Sequence, residues 1–325
     1  MTRFLYTALL ITSIIGFLAA GPARADSDTI SLTPIKASEH VYYFQGASGM
    51  ATRENKAFMS NAGFVVTPDG VVAFDSLGTP ALGQAMLDAI AKVTKQPVKQ
   101  VIISHYHADH YYGLQAFKAA GVDIRAHKSG QAILADQDET QERLAQRRTD
   151  LSPWVNDQTV LTPADRWLDF ADGDTIRFSM GDVQFQLINM AGAHSPGDIM
   201  LYVDNDRVLF SGDLYFSGRI PYVGDADSKT WLKAMDRMLD LKPVMVIPGH
   251  GPASTDTIKD MQLTRNYLLY LRKTMGEAVE NMTDFETAYK DTDWSQFKDY
   301  PAFNEANRLN AFGQYLVLEH ESLAQ

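Results

Sequence analysis

The 325-residue chain contains no cysteine. That excludes a disulfide framework, a thiol nucleophile and a thiolate metal ligand, so any metal site must be built from His, Asp and Glu, a borderline-to-hard ligand set. Positive charge is also scarce, with 29 Lys and Arg against 40 Asp and Glu and a net charge of −11. Such a surface repels phosphate backbones, and nucleic acid is not expected as a partner. Long apolar runs are missing except at the start, where Arg3, the run Phe4 to Ala20 and Ala23-Arg24-Ala25 have the order of a secretory leader with an A-x-A cleavage site. The run is short for a membrane span and is followed by Gly21-Pro22. Residues 1–25 are therefore expected to be removed, leaving a periplasmic or secreted protein with no stable membrane span. The mature chain would carry 27 basic and 40 acidic residues, a net charge of −13.

What is present is a 45% hydrophobic composition, enough for a sizeable core, and one chemically dense stretch, His105-Tyr106-His107-Ala108-Asp109-His110. It stands directly behind the apolar run Val98 to Ser104, which reads as a buried strand. Strands are also expected at Ser31 to Ile35, Val41 to Phe44, Ala62 to Val66 and Val71 to Phe74, the last two forming a hairpin across Pro68-Asp69-Gly70. Leu82, Met86, Ile90 and Val93 predict a helix opened by Pro80, and Tyr111 to Ala120 reads as one closed by Gly121. Lys128 to Arg148 is helical but strongly charged. With the two prolines and Trp154 of the following stretch, it is expected to cover one face as an insertion.

The second half predicts strands at Trp167 to Phe170, Thr175 to Phe178, Val183 to Met190 and Ile199 to Val203. Arg207 to Phe210 is expected to end in Ser211-Gly212-Asp213, and Val244 to Ile247 in Pro248-Gly249-His250-Gly251. Lys229 to Leu241 and most of the chain after 256 read as helix.

Five chemically loaded segments, at Asp75, His105 to His110, His194, Asp213 and His250, each follow an apolar strand-like run. In α/β architectures separate strand ends converge on one pocket. Five of the eight histidines lie in these segments. With Asp109 and Asp213 they are enough for two cations if one carboxylate bridges, with a position left for solvent. His40, His127 and His320 fall in no such segment and read as structural or surface residues. Tyr111 and Tyr112 are expected to pack the helix start, and Trp154 and Trp167 to be buried anchors.

The HxHxDH pattern at 105–110, GxHSPG around His194, Ser-Gly-Asp at 211–213 and Pro-Gly-His-Gly at 248–251, in this order, resemble the metallo-β-lactamase superfamily. The resemblance implies an α/β fold, an αββα four-layer sandwich of two mixed β-sheets flanked by helices. Residues 26–255 would form the catalytic domain, and 256–325 a helical extension packed on it. His105, His107 and His194 would hold one metal, Asp109, His110 and His250 the second, and Asp213 would bridge them. Asp75 would orient ligand histidines from behind, and Asp109 would be the catalytic carboxylate.

The implied activity is hydrolysis of a small-molecule carboxyl derivative, a lactam, lactone or thioester. Metal coordination lowers the pKa of water from 15.7 to about 7, so hydroxide is available at neutral pH. Two zinc ions per chain are expected, ahead of iron or manganese, because diiron flavoprotein oxidases carry Glu where His107 stands. True β-lactamases with a cysteine ligand are not matched, since Asp213 holds that position and Phe216 stands where their lactam-binding lysine would be. Arg219 nearby has two readings, a group that binds a substrate carboxylate and, ahead of it, a solvated loop charge. The leader, the Pro-Gly-His-Gly ending and the helical tail are similar to exported hydrolases found near sulfur-oxidation and quinoprotein systems. Two other readings stand beside this one: a mononuclear iron dioxygenase acting on persulfide-type substrates, and a metal-dependent accessory protein without turnover.

Overall fold

The computed structural model describes residues 30–224 and 226–323; the expected leader, 1–25, lies outside them. The first half forms β1 (Ile35–Lys36), β2 (Val41–Phe44), β3 (Ala62–Thr67), β4 (Gly70–Phe74), α1 (Pro80–Val93), β5 (Val98–Ile102), α2 (Ala108–Tyr111), α3 (Leu114–Ala119), β6 (Asp123–His127), α4 (Gly130–Ala135), α5 (Gln137–Leu151) and β7 (Arg166–Leu168). Its seven strands lie side by side in chain order, antiparallel from β1 to β4 and parallel from β4 to β7. The second half adds β8 (Thr175–Met180), β9 (Val183–Asn189), β10 (Ile199–Val203), β11 (Val208–Phe216), α6 (Ser228–Asp240) and β12 (Met245–His250), followed by α7 (Thr257–Asp260), α8 (Gln262–Glu280), α9 (Phe285–Asp291) and α10 (Phe303–Leu323). The second sheet runs β12-β11-β10-β9-β8, with only the β11–β12 pair parallel.

Alternation along the strands separates three cores. Val65, Ile102, Leu201 and Phe210 point into the layer between the sheets, while their neighbours Phe64 and Val101 face α1 and α3, and Met200 and Leu209 face α6 and α8. Strands buried on both faces are near-continuous apolar runs, which is why they were conspicuous in the sequence. The result is two mixed sheets packed face to face with helices outside each. Helix α1 starts at Thr79, whose hydroxyl accepts the Leu82 N–H at 3.1 Å, with Pro80 in the first turn. Helix α6 presents Trp231, Ala234, Met235 and Met238, one helical stripe, to the outer core of the second sheet.

Several expectations are corrected. The opening strand shrinks to Ile35–Lys36. The charged stretch after Lys128 is two helices, because Asp136 ends α4 and caps α5 by accepting the Glu139 N–H. The helix expected over 111–120 is broken at Tyr112-Gly113. Gly113 donates to the Leu77 carbonyl and packs so closely that a Cβ would meet the Ser76 oxygen at 1.8 Å. That approach ties the HYHADH turn to the end of β4. Ser211-Gly212-Asp213 does not end a strand either: β11 continues to Phe216 beside β12, with register shifts around Gly212, whose φ is +53°.

Candidate metal centre

The centre is assembled from the ends of β4 and β5, the start of α2, the turn after β9 and the irregular final stretch shared by β11 and β12. Asp75, in left-handed backbone at φ +59°, is the hub beneath it. Its carboxylate accepts the Ser104 N–H at 2.7 Å, the Ser104 hydroxyl at 2.8 Å and His110 Nδ1 at 2.8 Å. Since the Ser104 hydroxyl donates to Asp75, it accepts from His105 Nδ1 at 2.9 Å. His250 Nδ1 donates to the Met59 carbonyl at 2.9 Å. Each contact puts a proton on Nδ1 and turns Nε2 of His105, His110 and His250 inward.

The inward atoms form two groups. His105 Nε2 and His194 Nε2 lie 2.9 and 3.0 Å from His107 Nδ1, and Asp213 Oδ2 is 3.8 and 3.4 Å from the first two. In the second group His250 Nε2 is 3.2 Å from Asp109 Oδ2, and His110 Nε2 is 3.5 Å from it and 3.1 Å from Asp213 Oδ1. Asp213 thus lies between the groups, Oδ1 facing His110 while Oδ2 faces both His194 at 3.4 Å and His250 at 3.3 Å. The donor atoms of His105, His107, His194 and Asp213 all lie within 4.8 Å of one another, as do those of Asp109, His110 and His250.

These atoms fit cations. Ligands at 2.0–2.1 Å around a tetrahedral zinc are about 3.3 Å apart, and the observed separations bracket that spacing. Asp109 Oδ2, His110 Nε2 and Asp213 Oδ1 are fully buried and face one another at 3.1–3.5 Å without a well-aligned hydrogen bond. Each such orphan costs about 1–3 kcal/mol, and a shared cation removes the cost. Burial holds His105 well below its ordinary pKa, lowers His107, and takes His194 down to about 3, so the first group presents neutral imidazoles. In the second group burial also pulls downward, but the carboxylates of Asp213 and Asp109 outweigh it. They raise His250 and, with Asp75, hold His110 well above its ordinary value. For Asp109 and Asp213 burial pushes upward and the facing histidines reverse it, leaving both well below the usual carboxylate range.

All seven side chains singled out as ligands in the sequence meet here, with Asp75 beneath them. His40 instead pairs with Asp206 at 3.0 Å, His127 contacts Ser129 at 2.9 Å, and His320 is exposed on α10. Tyr111 and Tyr112 are buried and packed together, and Trp154 and Trp167 are half-buried. Three supports were missed. Asp198 accepts the His194 and Ser195 N–H groups, both at 2.8 Å, and so fixes the His194 turn; its signal was a carboxylate four residues past that histidine. Asn61 donates to the Pro248 and Gly251 carbonyls, both at 2.8 Å, while Ser60 holds the Asp109 carbonyl at 2.5 Å. No local pattern marks either.

Arg219 corrects the sequence reading: it is 1% exposed rather than solvated. The polar segment 45–58 lies over this side of the centre. It is pinned to the insertion by the Trp154 Nε1 bond to the Arg53 carbonyl at 2.9 Å and by Lys56 over the Trp154 ring at 5.3 Å. Tyr222, half exposed, stands edge-on to His107 with ring centres 6.2 Å apart.

A family described as the metallo-beta-lactamase superfamily matches residues 55–250. A linear primary-alkylsulfatase of Pseudomonas sp. (strain ATCC 19151) is 21% identical over 247 residues, 64% of this chain and 45% of that protein. A metallo-beta-lactamase type 2 of Bacillus sp. (strain 170) is 25% identical over 237 residues, 70% of this chain and 79% of that one. The chain spans about half the length of some of the curated relatives it matches. The solved structure of a metallo-beta-lactamase from Pontibacter korlensis superimposes with a TM-score of 0.58 at 22% identity, over 74% of this chain and 99% of that one.

Proposed function

Because the chain belongs to the metallo-beta-lactamase superfamily, we propose that it is an exported metal-dependent hydrolase that works with two zinc ions. Its substrate is a small carboxyl derivative: a lactam, lactone or thioester. The observation that carries this reading is the placement of Asp213 between two groups of buried donors, Oδ1 toward His110 and Oδ2 toward both His194 and His250. His105, His107, His194, Asp109, His110, His250 and Asp213 would hold a pair of divalent cations, which would supply a nucleophile near neutral pH and Lewis-acid polarisation of the bond to be cleaved.

The chain's own residues do the rest. His105, His107 and His194, neutral through burial, offer lone pairs without first losing protons. Asp109, held ionised by His110 and His250, is an acceptor that aligns the nucleophile's proton beside the second group. Asp75 and Ser104 lock two ligand rings from behind, so little reorganisation is needed when substrate arrives. The absence of any thiol and the Phe216 side chain support a substrate other than the antibiotics taken by cysteine-bearing lactamases. A relative named as an alkylsulfatase places an alkyl sulfate in the same test panel.

Elemental analysis of the purified protein, joined to nitrocefin, lactone, thioester and alkyl sulfate assays, tests the proposal. Two zincs per chain and chelator-sensitive hydrolysis are the expected result. One iron with oxygen consumption would replace this reading with the dioxygenase, and zinc without turnover on the panel with the accessory role. Asp109→Asn is expected to keep much of the metal and lose most turnover, about 100-fold or more. An unchanged kcat/KM would reject its role.

A further inference from the structure

Helix α5 is poorly seated. Of its 15 residues only Thr140, Leu144 and Leu151 are buried, and where this row would gain an apolar side chain between Leu144 and Leu151 the chain has Arg147 and Arg148. So narrow an apolar stripe cannot seal the helix against the body, and close packing fails beside it. What is left is a cavity of about 380 Å³ bordered by α4, α5 and residues 159–163, within the range of about 300–1,000 Å³ usual for small-molecule sites. None of its lining residues belongs to the metal centre.

The lining combines two chemistries. Leu134, Leu144 and Leu161 carry the outer core of the first sheet into the cavity, and Val160, also on its wall, is left 54% exposed. The one charge is Arg148, half-buried. Its Nε donates to the Asn156 carbonyl at 3.0 Å and its Nη2 to the Thr159 carbonyl at 2.9 Å. These neutral acceptors fix the fork without neutralising it. Among the described residues Nη1 has no hydrogen-bond partner, and no carboxylate oxygen comes within 4.0 Å of the guanidinium. The facing segment is fixed as well. Gln115 of α3 donates to the Gln158 carbonyl and accepts the Val160 N–H, both at 3.0 Å, so the cavity is formed before anything enters it.

We propose that this cavity binds an aliphatic monocarboxylate of medium chain length, its carboxylate on Arg148 Nη1 and its chain against Leu144 and Leu161. One guanidinium edge answers one negative charge, and the aliphatic walls favour a carbon chain over a small hydrophilic ion. The last turn of α5 is bonded to the segment over the metal centre, where Arg53 Nε donates to the Asp150 carbonyl at 2.8 Å. An occupant that supplies the apolar contacts α5 lacks therefore also steadies residues 45–58. Neither zinc nor any metal ligand takes part in this site.

Calorimetric titration with octanoate, its neutral amide and acetate, of zinc-free and zinc-loaded protein, tests the proposal. Wild type is expected to bind one octanoate per chain, about tenfold more tightly than octanamide and equally well in both forms, and not to bind acetate. Arg148→Met should lose the preference for the acid and keep affinity for the amide. Gln141→Trp, which fills the cavity from an exposed position on α5, should lose both ligands while its unfolding midpoint stays near that of wild type. Amide hydrogen exchange should slow at 137–151 and at 45–58 when octanoate is bound. No octanoate binding by wild type, equal affinity for octanoate and octanamide, or wild-type affinity in Gln141→Trp overturns the proposal. Octanoate binding that appears only with zinc places the ligand at the metal centre and overturns it as well. If Arg148→Met does not fold, the ratio of octanoate to octanamide affinity in wild type decides the role of the charge. Unchanged exchange at 45–58 in octanoate-bound protein overturns the coupling to that segment.

Discussion

At the scale of single residues, the two ligand groups differ in what they hold before metal arrives. Burial holds the first group's imidazoles below their ordinary value; in the second, Asp213 and Asp109 raise His250 and hold His110 well above it, favouring the protonated rings. Filling the first group should release few protons near neutral pH, and filling the second should displace one from each of His110 and His250. Calorimetric zinc titrations in buffers of different ionisation enthalpy check this; equal proton release at both steps would contradict it.

The same shifts set a pH dependence. In metal-stripped protein the His110 contribution to stability is complete below the ordinary imidazole value of 6.5 and is lost as pH rises through its raised folded value. Zinc affinity runs the other way, since ligands must be deprotonated. Unfolding midpoints should therefore fall with rising pH above 6.5 in stripped protein and rise in loaded protein. Asp75→Asn should weaken zinc at the second group about 10–100-fold, because His110 loses the carboxylate that orients it. Competition against a coloured chelator reads that change, and wild-type affinity would show that the hub is dispensable.

At the scale of elements, the ends of β11 and β12 matter more than their middles. The regular ladder breaks at Gly212, and the extra length delivers Asp213 and His250 to one place. Gly249 lies against Asp213 so tightly that a Cβ would stand 1.9 Å from its Oδ1, and Gly251 has φ +85°. Gly249→Ala must displace the Asp213 carboxylate. It should lose zinc, most of its activity and about 1–3 kcal/mol of stability, measured by elemental analysis and denaturant unfolding. Retained zinc with normal stability would show that the strand end can shift to accommodate it.

At the scale of the molecule, donors from both sheets meet at one edge, so cations bound there would join halves that the chain builds separately. Removing them should be felt globally. Stabilisation by a ligand grows as RT ln(1 + [L]/Kd), about 4 kcal/mol at a thousandfold excess over Kd. Chelation is expected to lower the unfolding midpoint by several degrees, about 2–4 °C per kcal/mol for a chain of this size. A scan with and without EDTA decides it. No helix among the described residues is long and apolar enough to cross a membrane.

The sequence by itself determined the donor types, their number and the strands that deliver most of them. The loaded segments are local, and strands buried on both faces stand out as apolar runs. His105, His107, Asp109 and His110 sit within six residues, and His194 and His250 within short turns that period and composition expose. Only the tertiary structure decided which donors lie together, that Asp213 lies inside an irregular strand, and that Arg219 is buried. It also decided that Asn61 and Asp198 hold the ligand turns in place. Asn61 acts on carbonyls 187 and 190 positions away, and Arg219 on one 170 positions away. Contacts at that separation leave no periodic trace in the chain, since they are set by how the two sheets stack and not by the residues beside them.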